Sequence, residues 1–223
     1  TVFSHRVSIL TGHYGTGKTE VSVNLALALA AEGEQVMLAD LDIVNPYFRS
    51  RERRPLLEKA GVRVISSSQA CSDADVPALP AELLTILENR EIRGILDIGG
   101  DPVGARVLAR FQPKIVQEDY QLIFVLNANR PEVRDAESAA AYLRSIEAVT
   151  GLTCSGLVNN THLCGETTPA EIRKGAALAQ EVSRQTGIPI LCHTAERRFL
   201  ESLSDLGEPV FPIAINMKKP WER

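Results

Sequence analysis

The sequence predicts an α/β fold, a three-layer sandwich in which helices cover both faces of a mostly parallel sheet. Short runs rich in Val, Ile and Leu alternate with segments of helical spacing along the whole chain. Within the runs, apolar and polar residues show little alternation, which is typical of strands buried on both faces of a parallel sheet. Right-handed crossover helices between such strands produce the three layers.

The individual elements follow from these runs. The predicted strands are residues 7–10, 35–39, 62–65, 94–98, 122–126, 155–158 and 188–191. The predicted helices are residues 19–32, 81–91, 103–115, 131–149 and 169–186, with one more short helix at 196–206. Pro131 and Pro169 suit the first turn of a helix. Because no linker or repeat divides the chain, we expect one domain over residues 1–223.

The overall composition is that of an ordinary soluble globular protein, with 44% hydrophobic and 23% charged residues. A net charge of −4 argues against a broad surface for nucleic acid. No apolar stretch approaches the roughly 20 residues of a membrane helix, and no secretory signal opens the chain. We therefore expect a cytoplasmic protein that does not insert into membranes.

The cysteines are scattered and form no C-x-x-C pair; they are Cys71, Cys154, Cys164 and Cys192. A disulfide framework is not expected in a domain of this size, and reduced, buried thiols are the simplest interpretation. A metal site assembled across the fold or between subunits is the alternative.

The most informative segment is a loop of the pattern G-x-x-x-x-G-K-T, formed by Gly12, His13, Tyr14, Gly15, Thr16, Gly17, Lys18 and Thr19. It follows a predicted strand and precedes a predicted helix, which is the context of a phosphate-binding loop. Successive N–H groups and the helix N-terminus would face a polyphosphate. Lys18 is expected to reach its β- and γ-phosphates, and the Thr19 hydroxyl to bind Mg²⁺.

Two acidic segments end predicted strands next to this loop. Asp40 and Asp42 are two positions apart in an extended segment, so their side chains point the same way. There they would serve Mg²⁺ and an attacking water; the alternative is a strand that ends in solvated acids. Asp97 ends another apolar strand, which is the pattern of a Mg²⁺-binding aspartate. The following Gly99 and Gly100 allow close approach of backbone N–H groups to a terminal phosphate.

Other polar residues at strand ends have simpler interpretations. Asp101 precedes Pro102 and is predicted to cap the next helix. Asn159 ends a later strand, and its amide can pair with the edge of a purine. Asn127 and Asn129 end the strand before it, where such amides either contact a ligand or tie loops together.

Taken in order, these motifs resemble the MinD/ParA-type P-loop ATPases, the clan that includes the nitrogenase iron protein and cobyrinate-synthase-type domains. The resemblance covers roughly residues 5–195. It implies a P-loop NTPase fold with ATP and Mg²⁺ as cofactors. Lys18 and Asp42 would act in catalysis, Asp42 on the attacking water, with Thr19, Asp40 and Asp97 at the metal. Asn159 would contact adenine.

The chain departs from the family pattern in three places. His13 replaces the lysine that reaches across a nucleotide-sandwich dimer in the family, which leaves a homodimer open. Glu20 stands where many members place a hydroxyl near the α-phosphate. Three prolines interrupt the tail, so no amphipathic helix for membrane cycling is expected. Four arginines follow Asp42; they are Arg49, Arg51, Arg53 and Arg54. They form either a solvated helix face or a site that binds an anion.

The function that these observations predict is a Mg²⁺-dependent ATP-binding protein that hydrolyses ATP slowly and acts as a conformational switch for a protein partner. One alternative is an ATP-dependent ligase or synthetase of the dethiobiotin or cobyrinate type, in which the arginines and residues 71–77 bind a small acidic substrate. A metallocentre-maturation ATPase, with cysteines meeting at a dimer interface, is the other.

Overall fold

The computed structural model describes residues 2–41, 53–66, 79–133 and 135–216. In these residues a parallel eight-stranded sheet has the order β3-β2-β4-β1-β5-β6-β7-β8. The strands are β1 (Val7–Thr11), β2 (Gln35–Asp40), β3 (Arg63–Ser66), β4 (Ile92–Asp97), β5 (Tyr120–Leu126), β6 (Cys154–Asn159), β7 (Ile190–Glu196) and β8 (Val210–Ile213). Every strand predicted from the apolar runs is present.

Helices cover both faces of this sheet. They are α1 (Lys18–Ala31), α2 (Arg54–Lys59), α3 (Leu79–Glu88), α4 (Pro102–Ala109), α5 (Gln112–Ile115), α6 (Ala136–Thr150) and α7 (Pro169–Thr186). Two apolar clusters separate the layers: one packs α1 and α2 on one face, and the other packs α3 to α7 on the opposite face. The predicted three-layer α/β sandwich is therefore confirmed.

The core explains why the strands are apolar on both sides. In β1, Ile9 belongs to one cluster and its neighbour Leu10 to the other, and both side chains are fully buried. Ile95 and Leu96 in β4 divide between the clusters in the same way. Alternate side chains of a strand point to opposite faces, so a strand covered on both faces needs apolar residues throughout.

Two predicted helices are interrupted in the structure. Residues 103–115 form α4 and then α5, because Pro113 cannot lie inside a continuous helix and instead occupies the first turn of α5. Residues 131–149 form a short 3₁₀ turn (Pro131–Val133) followed by α6. Asp135 caps α6 by accepting a 2.8 Å hydrogen bond from the backbone N–H of Ser138.

The C-terminal part differs most from the prediction. The sequence predicted no strand after residue 191, but β8 pairs with β7 at the edge of the sheet. Pro212 lies within β8, where an edge strand tolerates a residue without a backbone N–H. Residues 196–206 form two 3₁₀ turns, Arg197–Phe199 and Glu201–Leu203, in place of the predicted short helix.

The topology places the loop of residues 12–19 at a reversal of strand order. β1 pairs with β4 on one side and with β5 on the other, so the chain winds in opposite directions from this strand. In open parallel sheets, ligands bind outside the carboxyl ends of the strands at such a point. The described segments after β4, β5 and β6 approach the same crevice.

Candidate functional site

The loop between β1 and α1 has the backbone shape that the glycine pattern requires. Gly12, Gly15 and Gly17 have φ values of 143°, 75° and 85°, in the region that favours glycine. The loop is folded on the carbonyl oxygen of His13, which accepts hydrogen bonds from the Thr16 backbone N–H (3.2 Å) and hydroxyl (2.9 Å). Helix α1 begins directly after this turn, so its N-terminus opens into the loop.

Lys18 lies inside this loop. Its side chain is buried, with 6% of the residue exposed, and its Nζ donates a 3.3 Å hydrogen bond to the His13 carbonyl oxygen. An ammonium group held at the mouth of a backbone loop is placed to bind an anion that enters it. Thr19 follows in the first turn of α1 and is partly buried.

Two predicted metal residues lie side by side at the carboxyl end of the sheet. Asp40 and Asp97 are register partners in β2 and β4, and they are 3% and 1% exposed. Buried carboxylates at adjacent strand positions are oxygen donors of the kind that Mg²⁺ prefers. The structure thus brings together Lys18, Asp40 and Asp97 around the β1 strand end.

Several predicted residues lie outside the described part of the chain. They are Asp42, Arg49, Arg51, Cys71 and Pro77. Of the arginine group, Arg54 begins α2 and forms a 3.5 Å ion pair with Glu58 one turn later. The proposed action of Asp42 on water stays a prediction.

Side chains that were not assigned to the site from the sequence hold the outer side of the loop. Arg130 donates a 2.7 Å hydrogen bond from Nε to the Gly15 carbonyl oxygen. Asn160 donates a 2.8 Å bond from Nδ2 to the Thr16 carbonyl oxygen, and its own Oδ1 accepts a bond from Thr194. Asn160 directly follows β6, and Arg130 lies in the segment after β5; these positions are the signal that could have identified them.

Asn159 has a different environment from the one predicted for a base-contacting amide. It is fully buried, and its Nδ2 lies 3.0 Å from the Ile172 carbonyl oxygen and 3.1 Å from Nδ1 of His193. Its Oδ1 accepts a bond from the Thr161 backbone N–H. An adenine contact would require this amide to exchange partners, so the contact stays a prediction that the present geometry does not favour.

Glu20 is directed away from the phosphate loop. Its carboxylate accepts hydrogen bonds from Asn24 Nδ2 (3.2 Å) and from the backbone N–H of Asn216 (2.8 Å). A carboxylate at this position would repel an α-phosphate, but these two bonds hold it on Asn24 and Asn216. Glu20 instead connects α1 to the segment that follows β8.

His13 and Tyr14 occupy the tip of the loop. The His13 ring packs edge-on against Tyr142 of α6, with 5.0 Å between ring centroids, and its Nδ1 lies 3.8 Å from a carboxylate oxygen of Glu132. Tyr14 is 53% exposed. His13 therefore faces its own chain at the position where the family has a lysine that crosses to a partner.

The segment after β4 approaches the loop from the other side. Asp101 caps α4 by accepting a 2.6 Å bond from the Gly104 backbone N–H, as predicted. Gly100 lies between the loop and α6, where the Tyr142 hydroxyl donates a hydrogen bond to its carbonyl oxygen. Burial, with a smaller contribution from the charge of Asp101, raises the pKa of Tyr142 to about 12.

His162 lies behind the loop near Gly17. Burial, assisted by the charge of Arg130, lowers the pKa of His162 to about 4, so the imidazole is neutral at physiological pH. Its Nδ1 accepts a 3.2 Å bond from the backbone N–H of Cys164. Among the described residues, its Nε2 has no hydrogen-bond partner.

The cysteines within the described ranges do not form a metal centre. Cys154 and Cys192 are buried, and burial raises the pKa of each thiol to about 12. Cys164 is partly exposed, and its Sγ lies 3.8 Å from Nδ1 of His162. Residues 2–41, 53–66, 79–133 and 135–216 contain no group of three or more His, Cys, Asp or Glu side chains suited to a metal ion.

Comparisons with known proteins agree with this geometry. A family model described as ParA, NUBPL iron-transfer P-loop NTPase, matches residues 3–51. Over 239 residues, covering 97% of this chain and 87% of the relative, the sequence is 24% identical to the septum site-determining protein MinD of Helicobacter pylori. The chain is similar to P-loop NTPases of the MinD/ParA clan. The resemblance identified from the motifs is confirmed.

Further relatives match shorter parts of the chain. Over 95 residues, or 43% of the chain, it is 36% identical to the cytosolic Fe-S cluster assembly factor cfd1 of Emericella nidulans, and the match covers 26% of that factor. The fold is similar to the cell division protein FtsY of Thermotoga maritima, with a TM-score of 0.55 and 24% identity over 82% of this chain and 59% of that one. In its described residues, no helix is long and apolar enough to cross a membrane.

Proposed function

We propose that this P-loop NTPase binds ATP with Mg²⁺, hydrolyses it slowly and acts as a conformational switch for a protein partner. The observation that carries the proposal is the loop of residues 12–19, with Lys18 buried inside it and the N-terminus of α1 behind it. This arrangement suits a polyphosphate because backbone N–H groups and one ammonium surround the same space. The cytoplasm is the proposed location, in keeping with the cytosolic name of the cfd1 relative.

The acidic residues fit a divalent cation next to the phosphates. Asp40 and Asp97 are adjacent, buried carboxylates at the strand ends, and Thr19 offers a hydroxyl one position after Lys18. These three residues would hold Mg²⁺, either directly or through water. When bound, Mg²⁺ neutralises charge that develops on the phosphate oxygens.

The protein's own residues would divide the work of hydrolysis. Lys18 would bind the β- and γ-phosphates, and Asp42 would orient the attacking water. Arg130 and Asn160 act through the loop, because they bind the carbonyl oxygens of Gly15 and Thr16. Segments after Asp40 and Asp97 would respond to the γ-phosphate and carry the change to a partner.

A second candidate function is metallocentre maturation, favoured by the printed descriptions of the matching family model and of the cfd1 relative. In this case a metal or Fe-S cargo would be carried as substrate. The described residues contain no group of three or more metal-ligating side chains, so the cargo site would involve a second subunit or Cys71. Stoichiometric metal in a native mass spectrum of the purified protein would favour this candidate over the switch.

The first test removes the lysine that is proposed to bind the phosphates. Lys18→Ala deletes the ammonium inside the loop, so we expect ATP affinity to fall by several kcal/mol or beyond detection in a calorimetric titration with Mg²⁺.

Asp42→Ala should keep ATP affinity within a few fold and lose about 10²-fold or more in turnover.

The matched control is Lys114→Ala, which removes an exposed lysine paired with Glu88 and should leave ATP affinity unchanged. Equal affinity of Lys18→Ala and the parent would contradict the phosphate site. If Asp42→Ala loses ATP affinity but keeps its residual turnover, Asp42 is a metal or structural residue.

A further inference from the structure

The backbone after β4 lies against the part of the loop that a terminal phosphate would use. A Cβ placed on Gly100 would lie 2.8 Å from Lys18 Nζ and 2.9 Å from the backbone nitrogen of Tyr14. Both atoms are donors at the mouth of the loop. Gly100 therefore packs directly on two groups that would contact the phosphate farthest from the base.

A side chain from α6 holds Gly100 in this place. The Tyr142 hydroxyl donates a hydrogen bond to the Gly100 carbonyl oxygen, although the two residues are 42 positions apart. A tyrosine hydroxyl is protonated at neutral pH and can donate this bond. The Tyr142 hydroxyl therefore acts on the backbone after β4, whereas its ring packs on His13 of the loop.

The ring of Tyr142 is positioned independently of its hydroxyl. On one side it meets the His13 ring at 5.0 Å between centroids, and on another it meets Phe124 of β5 at 6.2 Å. Such offset and edge contacts between aromatic rings are favourable. Removing the hydroxyl should leave the ring in place, which makes the hydrogen bond to Gly100 separately testable.

We propose that Tyr142 is a positioning residue that sets how strongly the site discriminates between a nucleoside triphosphate and a diphosphate. The inference rests on the proposed nucleotide binding. A γ-phosphate needs Lys18 and the loop N–H groups near Tyr14, so Gly100 must shift to admit it, and the shift breaks the bond from Tyr142. A diphosphate ends within the loop and leaves Gly100 where it is. The bond to Tyr142 thus opposes the triphosphate alone.

The test is Tyr142→Phe, which keeps the ring and deletes the hydroxyl. Dissociation constants are measured by calorimetry for a non-hydrolysable ATP analogue and for ADP, both with Mg²⁺. Because one hydrogen bond no longer has to be broken, we expect affinity for the analogue to rise about fivefold while affinity for ADP stays within about twofold. The matched control is Tyr120→Phe at the start of β5, which should leave the ratio of the two constants unchanged.

Three results would overturn the inference. The ratio could stay at the parent value, both constants could shift equally, or the analogue could bind more weakly to Tyr142→Phe. If the parent binds both nucleotides and one of these results is found, the proposed function stands and only the role of Tyr142 fails. If the parent binds neither nucleotide, both fail. A cooperative thermal unfolding transition in both variant and parent shows that the comparison is made on folded protein.

Discussion

At the scale of single residues, the loop is shaped by side chains on its outer side as much as by its glycines. Asn160 holds the carbonyl oxygen of Thr16 at 2.8 Å. In a trans peptide the carbonyl and the following N–H point in opposite directions, so the N–H of Gly17 is turned away from Asn160. Donors that are oriented before a ligand arrives need no rearrangement on binding, which favours affinity.

The first prediction at this scale concerns His162 and pH. Its pKa is about 4 in the folded protein against an ordinary value of 6.5, so between these values the unfolded chain binds more protons than the folded one. The stabilisation is complete above pH 6.5 and is lost as the pH falls toward 4. By linkage, this group lowers the free energy of unfolding by at most about 2 kcal/mol between pH 7.5 and pH 5.

The measurement is urea unfolding of the parent and of His162→Gln at both pH values. The variant should show a smaller difference between pH 7.5 and pH 5 than the parent. The control is His5→Gln, which changes a partly exposed histidine near Asp119. It should keep the part of the parent's pH-dependent loss of stability that comes from His162. An equal loss of stability in the parent and in His162→Gln would show that the imidazole is not held neutral by burial.

At the scale of elements, the last strand is attached to the helix that follows the phosphate loop. Asn24 of α1 donates a 2.9 Å hydrogen bond to the Ala214 carbonyl oxygen and accepts a 2.8 Å bond from the Ala214 backbone N–H. Glu20 binds the backbone N–H of Asn216 in the same way. Side chains of α1 thus hydrogen-bond to the backbone of the segment that follows β8.

Asn24→Ala should therefore destabilise the protein. It leaves both backbone groups of Ala214 without this partner, and we expect the free energy of unfolding to fall by about 1–3 kcal/mol in urea titrations. Gln180→Ala, a change at an exposed position of α7, is the control and should have an effect of less than about 0.5 kcal/mol. A difference between the two variants within experimental error would contradict a structural role for this attachment.

At the scale of the whole molecule, two copies could meet at their proposed nucleotide sites. Closing two such sites face to face buries phosphate charge, which must be neutralised. His13 packs against its own Tyr142, so it does not supply a charge to a partner in this conformation. The remaining positive groups nearest in sequence to Asp42 are Arg49, Arg51, Arg53 and Arg54.

We therefore expect one of two results in light scattering with a non-hydrolysable ATP analogue. The protein keeps one oligomeric state, or it forms a dimer that is lost when these four arginines are replaced by alanine. A matched control replaces four exposed arginines elsewhere, Arg90, Arg110, Arg144 and Arg184. An analogue-induced dimer that survives the first replacement would leave the arginine group without a role in dimerisation.

The sequence by itself determined the class of fold, the positions of seven buried strands along the chain and the position of the phosphate loop. These features are local: a strand covered on both faces must be apolar throughout, and the glycine conformations of residues 12–19 are encoded within a few positions. The cap at Asp101 and the bounds of α7 (Pro169–Thr186) were also predictable, because capping depends on neighbouring residues.

Only the tertiary structure decided which side chains surround the loop. Asn160 and Thr16 are 144 positions apart, and Arg130 and Gly15 are 115 apart, so no local pattern joins them. Adjacent amides at 159 and 160 are equivalent in a motif, but the alternation of side chains along β6 sends Asn159 toward His193 and leaves Asn160 at the loop. The same holds for Tyr142 on Gly100, and for β8, whose proline is acceptable only because the strand lies at the edge of the sheet.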